Sequence, residues 1–312
     1  MSVSGTNTFS QTRNDIINRA YKIIGIKTRG RDLTAEEIND ASEALNLYVK
    51  GLKSEGVYLW KYAEGNLFLK IGQESYILDG ATANATESFV QTTTSATATS
   101  GANSVVVASA SGFTIGYNIG IMQDNGNLHW TTNSNIVGTT ITLTSPLTNN
   151  VLSGATVYVY QTKITRPEAI TSARRRDSSN YDTPLNELAR NDYFNLAQKT
   201  VIGQPTQFYY DKQLSSGIFY LYQAPNDATN TIKFTFQKMF FDFNTGNDNP
   251  DFPIEWAETL AFGLAFRLSY DFSIDKTKSE QIKRTYDEML RNLKGYDRED
   301  SIYFVPTYNL YK

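Results

Sequence analysis

Between residues 90 and 161 the chain carries one charged residue, Asp124, in a run dominated by Thr, Ser, Asn, Gly and Val. A stretch so poor in Lys and Glu cannot supply the charged outer face of an amphipathic helix, whereas its β-branched residues suit a pleated, half-buried surface. It is predicted to be all β. Candidate strands cover residues 104–109, 118–123, 128–133, 139–144 and 156–160, separated by turn residues such as Asn125-Gly126 and Ser153-Gly154. Such a set closes as a small antiparallel barrel or sandwich. The abrupt change of composition at both ends marks an inserted domain over 87–161.

On either side the period changes. Ile16, Ile17, Ala20, Tyr21, Ile23 and Ile24 recur at helical spacing, with Ser10 or Thr12 as cap and Gly25 as stop, which predicts a short helix over 14–26. Thr34 and Glu37 have capping-box spacing, and Ile38, Ala41, Leu45, Tyr48, Val49 and Leu52 trace one face of a second helix ending near Gly56. Residues 57–60, 67–69 and 76–78 read as short strands. Thr183-Pro184-Leu185-Asn186-Glu187-Leu188 has the cap, first-turn Pro and Glu of a short helix running to Asp192. Residues 206–212 and 217–223 alternate apolar with polar as a hairpin, which 232–236 extends into a meander. A helix over 253–272 with little charge in its middle, and an amphipathic one from a cap at Asp275 to Gly295, follow. The fold class implied is α+β: a helical bundle from the N- and C-terminal helices with β-hairpin and meander elements, plus the inserted small all-β domain. The body is then discontinuous, residues 1–86 and 162–300. Residues 301–312 form an aromatic tail expected to dock on a neighbour.

Composition narrows the chemistry. Lys and Arg number 29 against 32 Asp and Glu, a net charge of -3, which is not the footprint of a protein that grips phosphates. Cys is absent and His129 is the single histidine, which removes disulfides, thiolate nucleophiles, Cys-ligated metals and His-pair sites. No stretch approaches the roughly 18 apolar residues of a membrane span, and residues 1–11 lack an apolar signal-like core, so a soluble chain of cytoplasmic origin is expected. Twenty Tyr and 17 Phe suit strands and broad protein contacts. No P-loop, GxGxxG, HExxH or GxSxG occurs; neither an enzyme nor a cofactor is expected.

The remaining candidates each have a plain alternative. Arg174-Arg175-Arg176 offers a phosphate site, but Asp177 and Asp182 stand beside it, and a solvated turn or an intersubunit ion pair is favoured. Asn247-Asp248-Asn249-Pro250-Asp251 has oxygen ligands for Ca²⁺ but not the rest of a calcium loop, and reads as a lead-in to the helix at Pro253. His129-Trp130 reads as packed strand, with a sugar-stacking surface of Trp130 and Tyr117 as the competing view. Asn84-Ala85-Thr86 matches a glycosylation sequon in a chain with no secretory signal. Glu36-Glu37 and Asp297, Glu299 and Asp300 read as solvated carboxylates.

In order along the chain, Leu33-Thr34-Ala35-Glu36-Glu37 through Ala44-Leu45-Asn46-Leu47, then Lys53-Ser54-Glu55-Gly56-Val57-Tyr58-Leu59-Trp60, resemble the start of head-to-tail adaptor proteins of short-tailed bacteriophages. Arg166-Pro167, Pro184-Leu185 with Tyr193, Gly203-Gln204-Pro205, Tyr209-Tyr210, the run from Ile218 to Pro225, and Phe252-Pro253-Ile254-Glu255-Trp256-Ala257 look like the second half of the tubular-tail type of that family. The resemblance spans roughly residues 13–293 outside the insertion. The insertion itself, around Val105-Val106-Val107, Gly112 to Gly116 and Val137 to Leu143, is similar to β insertions of phage tail and ring proteins.

The resemblance implies a structural virion protein: a ring of about twelve copies joining portal to tail. Double-stranded DNA would cross its lumen without specific binding. Partners implied are the portal protein, the next tail ring, and nozzle or fibre proteins. Trp256, Leu260, Leu264, Arg267 and Tyr286 are the ring-interface candidates, and Ile302, Tyr303, Phe304, Val305, Tyr308 and Tyr311 the portal or neighbour docking candidates. The competing expectation is a carbohydrate-binding or adhesin-like tail module, built on Tyr117, Trp130 and Tyr158 among Thr/Asn-rich strands.

Overall fold

Thr12 opens the first helix, α1 (Arg13–Ile24), through a reciprocal cap: its hydroxyl accepts the Asp15 N–H at 3.3 Å, and the Asp15 carboxylate accepts the Thr12 N–H at 3.0 Å. Gly25, at φ 88°, ends it in the left-handed region. Thr34 and Glu37 exchange the same pair of bonds at the start of α2 (Ala35–Leu52). The computed structural model describes residues 9–52 and 59–296. They form two units, one from the described residues up to Leu59 and from Phe240 onward, the other from Trp60 to Met239.

The second unit is built of strands. β1 (Tyr62–Phe68), β2 (Ser75–Leu78) and β3 (Ala85–Thr86) precede β4 (Val90–Thr93), β5 (Ser104–Val106), β6 (Asn118–Met122), β7 (Leu128–Val137), β8 (Thr140–Leu143) and β9 (Thr156–Tyr160). β4 to β9 make a six-stranded antiparallel sheet in the order β4-β9-β6-β7-β8-β5. Its two outer strands meet: Thr94 bridges Val107, the Ser95 N–H donates to Val106 O at 2.9 Å, and the Ala108 N–H donates to Thr93 O at 2.8 Å. The sheet thereby curls into a barrel around Val105, Ile119, Ile121, Ile141, Val157 and Val159, all buried.

The chain then returns through β10 (Ala169–Arg176), β11 (Asp182–Glu187), the short α3 (Arg190–Phe194), β12 (Ile202–Gly203), β13 (Gln207–Lys212), β14 (Gly217–Tyr222), β15 (Ala224–Pro225) and β16 (Thr231–Gln237). Eight strands join as β2-β14-β13-β11-β10-β16-β1-β3, antiparallel except where β11 meets β13. Alternation decides which face is buried: Ile232, Phe234 and Phe236 of β16 point into one apolar layer with Phe208, Phe219 and Leu221.

In the first unit α1 and α2 pack with α4 (Ala257–Asp271) and α5 (Lys276–Tyr296). α4 is covered over most of its circumference, with Leu260, Ala261, Leu264 and Ala265 at 0% exposure, as the lack of charge in its middle predicts. Asn46 ties α2 to the segment before α4, donating to Phe243 O at 3.1 Å and accepting the Phe243 N–H at 2.9 Å. Tyr21, fully buried, donates to Glu37 O at 2.8 Å, and burial pushes its phenol up to about 12.

These findings correct the expected fold class. A helical bundle carrying minor β elements and a small inserted domain is not what forms: among the described residues the chain is mostly β, with sheets of eight and six strands and only five α-helices. Long capped helices announce themselves in a sequence, whereas strands of two to ten residues do so weakly, and the helical pattern therefore outweighs the strands that make most of the body. The helix expected from Thr183 to Asp192 is also corrected. Residues 182–187 are strand β11, and helix α3 begins only at Arg190. Pro184 is accommodated because β13 joins the other side of β11 only from Asn186, leaving Pro184 opposite Arg174 with one ladder neighbour. Residues 57–60 were expected as a strand; 57 and 58 lie outside the described residues, and Leu59–Lys61 is a 3-10 turn.

Candidate functional site

Phe68, the last residue of β1, is buried and meets four aromatic rings, at centroid distances of 4.7 Å for Tyr158, 5.0 Å for Trp130, 5.3 Å for Phe89 and 6.0 Å for Tyr160. This cluster joins the end of β1 to barrel strands β7 and β9. Tyr160 donates its hydroxyl to Asn84 Oδ1 at 2.8 Å, and burial holds its phenol well above the ordinary tyrosine range. Trp130 lies across Gly120, its partner in the β6–β7 ladder; a Cβ there would stand 2.5 to 2.7 Å from three indole carbons. Only glycine leaves the indole that seat.

Beside the cluster a cleft of about 580 Å³ opens between the β1–β2 region and the β6–β7 hairpin, a size within the ~300–1,000 Å³ of small-ligand sites. Lys70, Gln73, Asn125, Asn127, His129 and Trp130 line it. Lys70 is the one charged residue of the lining, and no carboxylate belongs to it. Several amides are oriented by bonds at one end. Asn127 Oδ1 accepts the Ile71 N–H at 3.0 Å, and Asn125 Oδ1 accepts the Asn127 N–H at 3.0 Å. An oxygen facing a backbone N–H fixes the amide flip, so each Nδ2 is turned away from that bond. Gln123 Oε1 accepts from Thr148 Oγ1 at 2.9 Å, and Thr148 Oγ1 stands 3.5 Å from His129 Nδ1. His129 Nε2 is buried without a hydrogen bond. The lining can hold a polar molecule by hydrogen bonds against an aromatic wall; it has no pair of carboxylates for glycoside hydrolysis.

The sugar-stacking surface expected from Trp130 and Tyr117 is not assembled as such. Tyr117 packs against the barrel interior, while Trp130 and Tyr158 belong to the Phe68 cluster. The arginine run lies on β10, not in a turn. Arg176 grips Asp182 with Nε at 2.7 Å and Nη2 at 2.6 Å, and Arg174 pairs with Asp182 and, at 2.5 Å, with Glu64. These guanidiniums hold both carboxyls below the usual carboxylate range. The run is thus paired within the chain. In the loop before α4, Asp248 accepts the Asn244 and Thr245 N–H groups at 2.7 Å each and the Thr245 hydroxyl at 2.6 Å. Its oxygens are spent on turn bonds, and no acidic or histidine cluster fit for a metal occurs among the described residues.

Trp256, Leu260 and Leu264 are buried inside the first unit, so in the single chain they are already covered. The Arg267 guanidinium stands 5.2 Å over the Tyr48 ring, which also meets Tyr286 edge-on at 6.0 Å. Ile302, Tyr303, Phe304, Val305, Tyr308 and Tyr311 lie outside the described residues, as do Asp297, Glu299 and Asp300. The cleft escaped the sequence reading because its walls come from segments far apart in the chain. Its parts visible in the sequence are the Asn125-Gly126 turn, His129-Trp130 and Asn84, which nothing in the sequence brings together.

No family model matches the chain, and no curated protein matches it. Among solved structures, the Gp54 tailspike of Acinetobacter baumannii bacteriophage AP22, in complex with A. baumannii capsular saccharide, is similar at 20% identity over 23% of this chain, with a TM-score of 0.21. The match spans 14% of the tailspike chain, and a likeness this slight carries no argument about fold or function. No helix among the described residues is long and apolar enough to cross a membrane.

Proposed function

We propose that this chain is a structural component of a bacteriophage virion, and within it the head-to-tail adaptor, a ring of about twelve copies between portal and tail. The observation that supports this reading is that, within each of the two units, segments resembling the adaptor family pack against one another. Leu33 to Leu47 falls largely on α2, and Phe252 to Ala257 leads into α4, which packs on α2. In the β unit, Tyr210 donates to Pro167 O at 2.7 Å, and Tyr209-Tyr210 lie in the strand that pairs with Ile218 to Tyr222. Partners under this reading are the portal, the next tail ring, and nozzle or fibre proteins. Double-stranded DNA would pass without being held. A net charge of -3 and the Arg174 and Arg176 ion pairs suit a conduit, since free phosphate contacts would slow sliding.

Mixing the purified protein with portal and imaging by negative stain tests the assignment. Rings seated on portals are the expected result; portals left bare at saturating protein would sink it. A second reading, a carbohydrate-binding or adhesin-like tail module, is favoured by the amide-lined cleft beside Trp130.

A further inference from the structure

We infer that the cleft between the β1–β2 region and the β6–β7 hairpin is a binding subsite for a saccharide of one to two rings; this rests on the carbohydrate-binding reading and is independent of the adaptor assignment. Size sets the first limit. About 580 Å³ accommodates a small ligand and not a protein segment of any length. Chemistry sets the second. A sugar ring presents hydroxyls that both donate and accept, and an apolar C–H face. Against these the cleft offers Asn125 and Asn127 with oxygens engaged by backbone N–H groups and Nδ2 groups left to donate, and the half-buried Trp130.

Charge sets the third limit. A phosphorylated ligand would meet a single cation, Lys70, too little for a doubly charged group, whereas a neutral sugar or a monoanionic uronate needs no more. The donors are also held in place before any ligand arrives. Asn127 is tied to the Ile71 N–H across the two walls, and Asn125 is fixed by the hairpin turn, so little side-chain entropy is lost on binding. With no carboxylate in the lining, the bound sugar is retained and not cleaved at this place.

The single histidine makes the test clean, because untagged protein gives one set of imidazole signals, from His129 in the lining. The protein is titrated with glucose, galactose, N-acetylglucosamine, their disaccharides, and glucuronate and galacturonate, each to about 10 mM, the weak end of specific recognition. A saturable shift of the His129 signals with at least one sugar is expected, together with an affinity about tenfold weaker in both Asn125→Ala and Lys70→Met. Preference for the uronates over the neutral sugars identifies Lys70 as the selecting group; preference for neutral sugars with Lys70→Met unaffected removes that residue's role. If a sugar binds while the His129 signals stay still and Asn125→Ala binds as well as wild type, the cleft assignment is overturned and the carbohydrate reading survives. If no sugar binds, both fall and the adaptor reading is untouched.

Discussion

Replacing Phe68 by alanine removes the one ring that touches Trp130, Tyr158, Phe89 and Tyr160 at once. The side chain is 2% exposed, so its loss leaves a cavity, and Phe→Ala at such sites costs about 3–5 kcal/mol. For a unit of this size, 1 kcal/mol moves the melting temperature by about 2–4 °C, so a fall on the order of 10 °C is expected. The damage should be local in kind. Phe68 contributes nothing to the barrel interior around Ile119, Ile121 and Ile141, so amides of β6 and β8 should keep their hydrogen-exchange protection. The near-ultraviolet signal of Trp130 should weaken. Thermal melts followed by circular dichroism, with exchange mass spectrometry on the same variant, read both effects. A melting shift below about 2 °C would show that the cluster does not hold the barrel to β1. Equal loss of protection across β6 and β8 would show that the barrel has no independent core.

Two further outcomes follow from the same geometry. Gly120→Val should lift the indole of Trp130 from the β6 backbone, costing about 1–3 kcal/mol as overpacking and shifting tryptophan emission to the red; unchanged emission and stability would contradict the close approach. Asp182 has a folded pKa below its unfolded value of about 3.9, chiefly through its bonds to Arg176, so its contribution is present above that value and lost as pH falls through the lower folded pKa. Asp182→Asn should therefore lower the urea midpoint at pH 7 and narrow its deficit against wild type near pH 3, and a deficit that widens in acid would refute the pairing.

The four long helices, α1, α2, α4 and α5, were legible because their signals are local. Thr12 with Asp15, Thr34 with Glu37, and Asp275 before α5 are each resolved within one turn of chain, and the caps form where such spacing places them. The barrel strands were nearly as plain, since Asn125-Gly126 and the small residues around Ser153-Gly154 punctuate them. β4 escaped because Val90-Gln91-Thr92-Thr93 has no buried alternation of its own and gains its place by pairing with β9. The eight-stranded sheet was underestimated for a related reason. β10 carries three arginines, and only its neighbour β11, with Asp182, and β1, one strand further across β16, with Glu64, make such a strand tolerable. Those partners are remote, and no periodicity announces them. The cleft was less legible still, being a product of two sheets meeting and not of any motif.

The meeting of Thr94 and Val107 bears on how a segment with one charged residue avoids pairing with copies of itself. An open sheet so bare of lysine, glutamate and proline would offer its rims to every identical sheet nearby, and natural proteins normally post such residues there as gatekeepers. Here the backbone rims satisfy each other, so the guards are dispensable. Copies can therefore crowd together at high concentration without stitching into fibres through this segment.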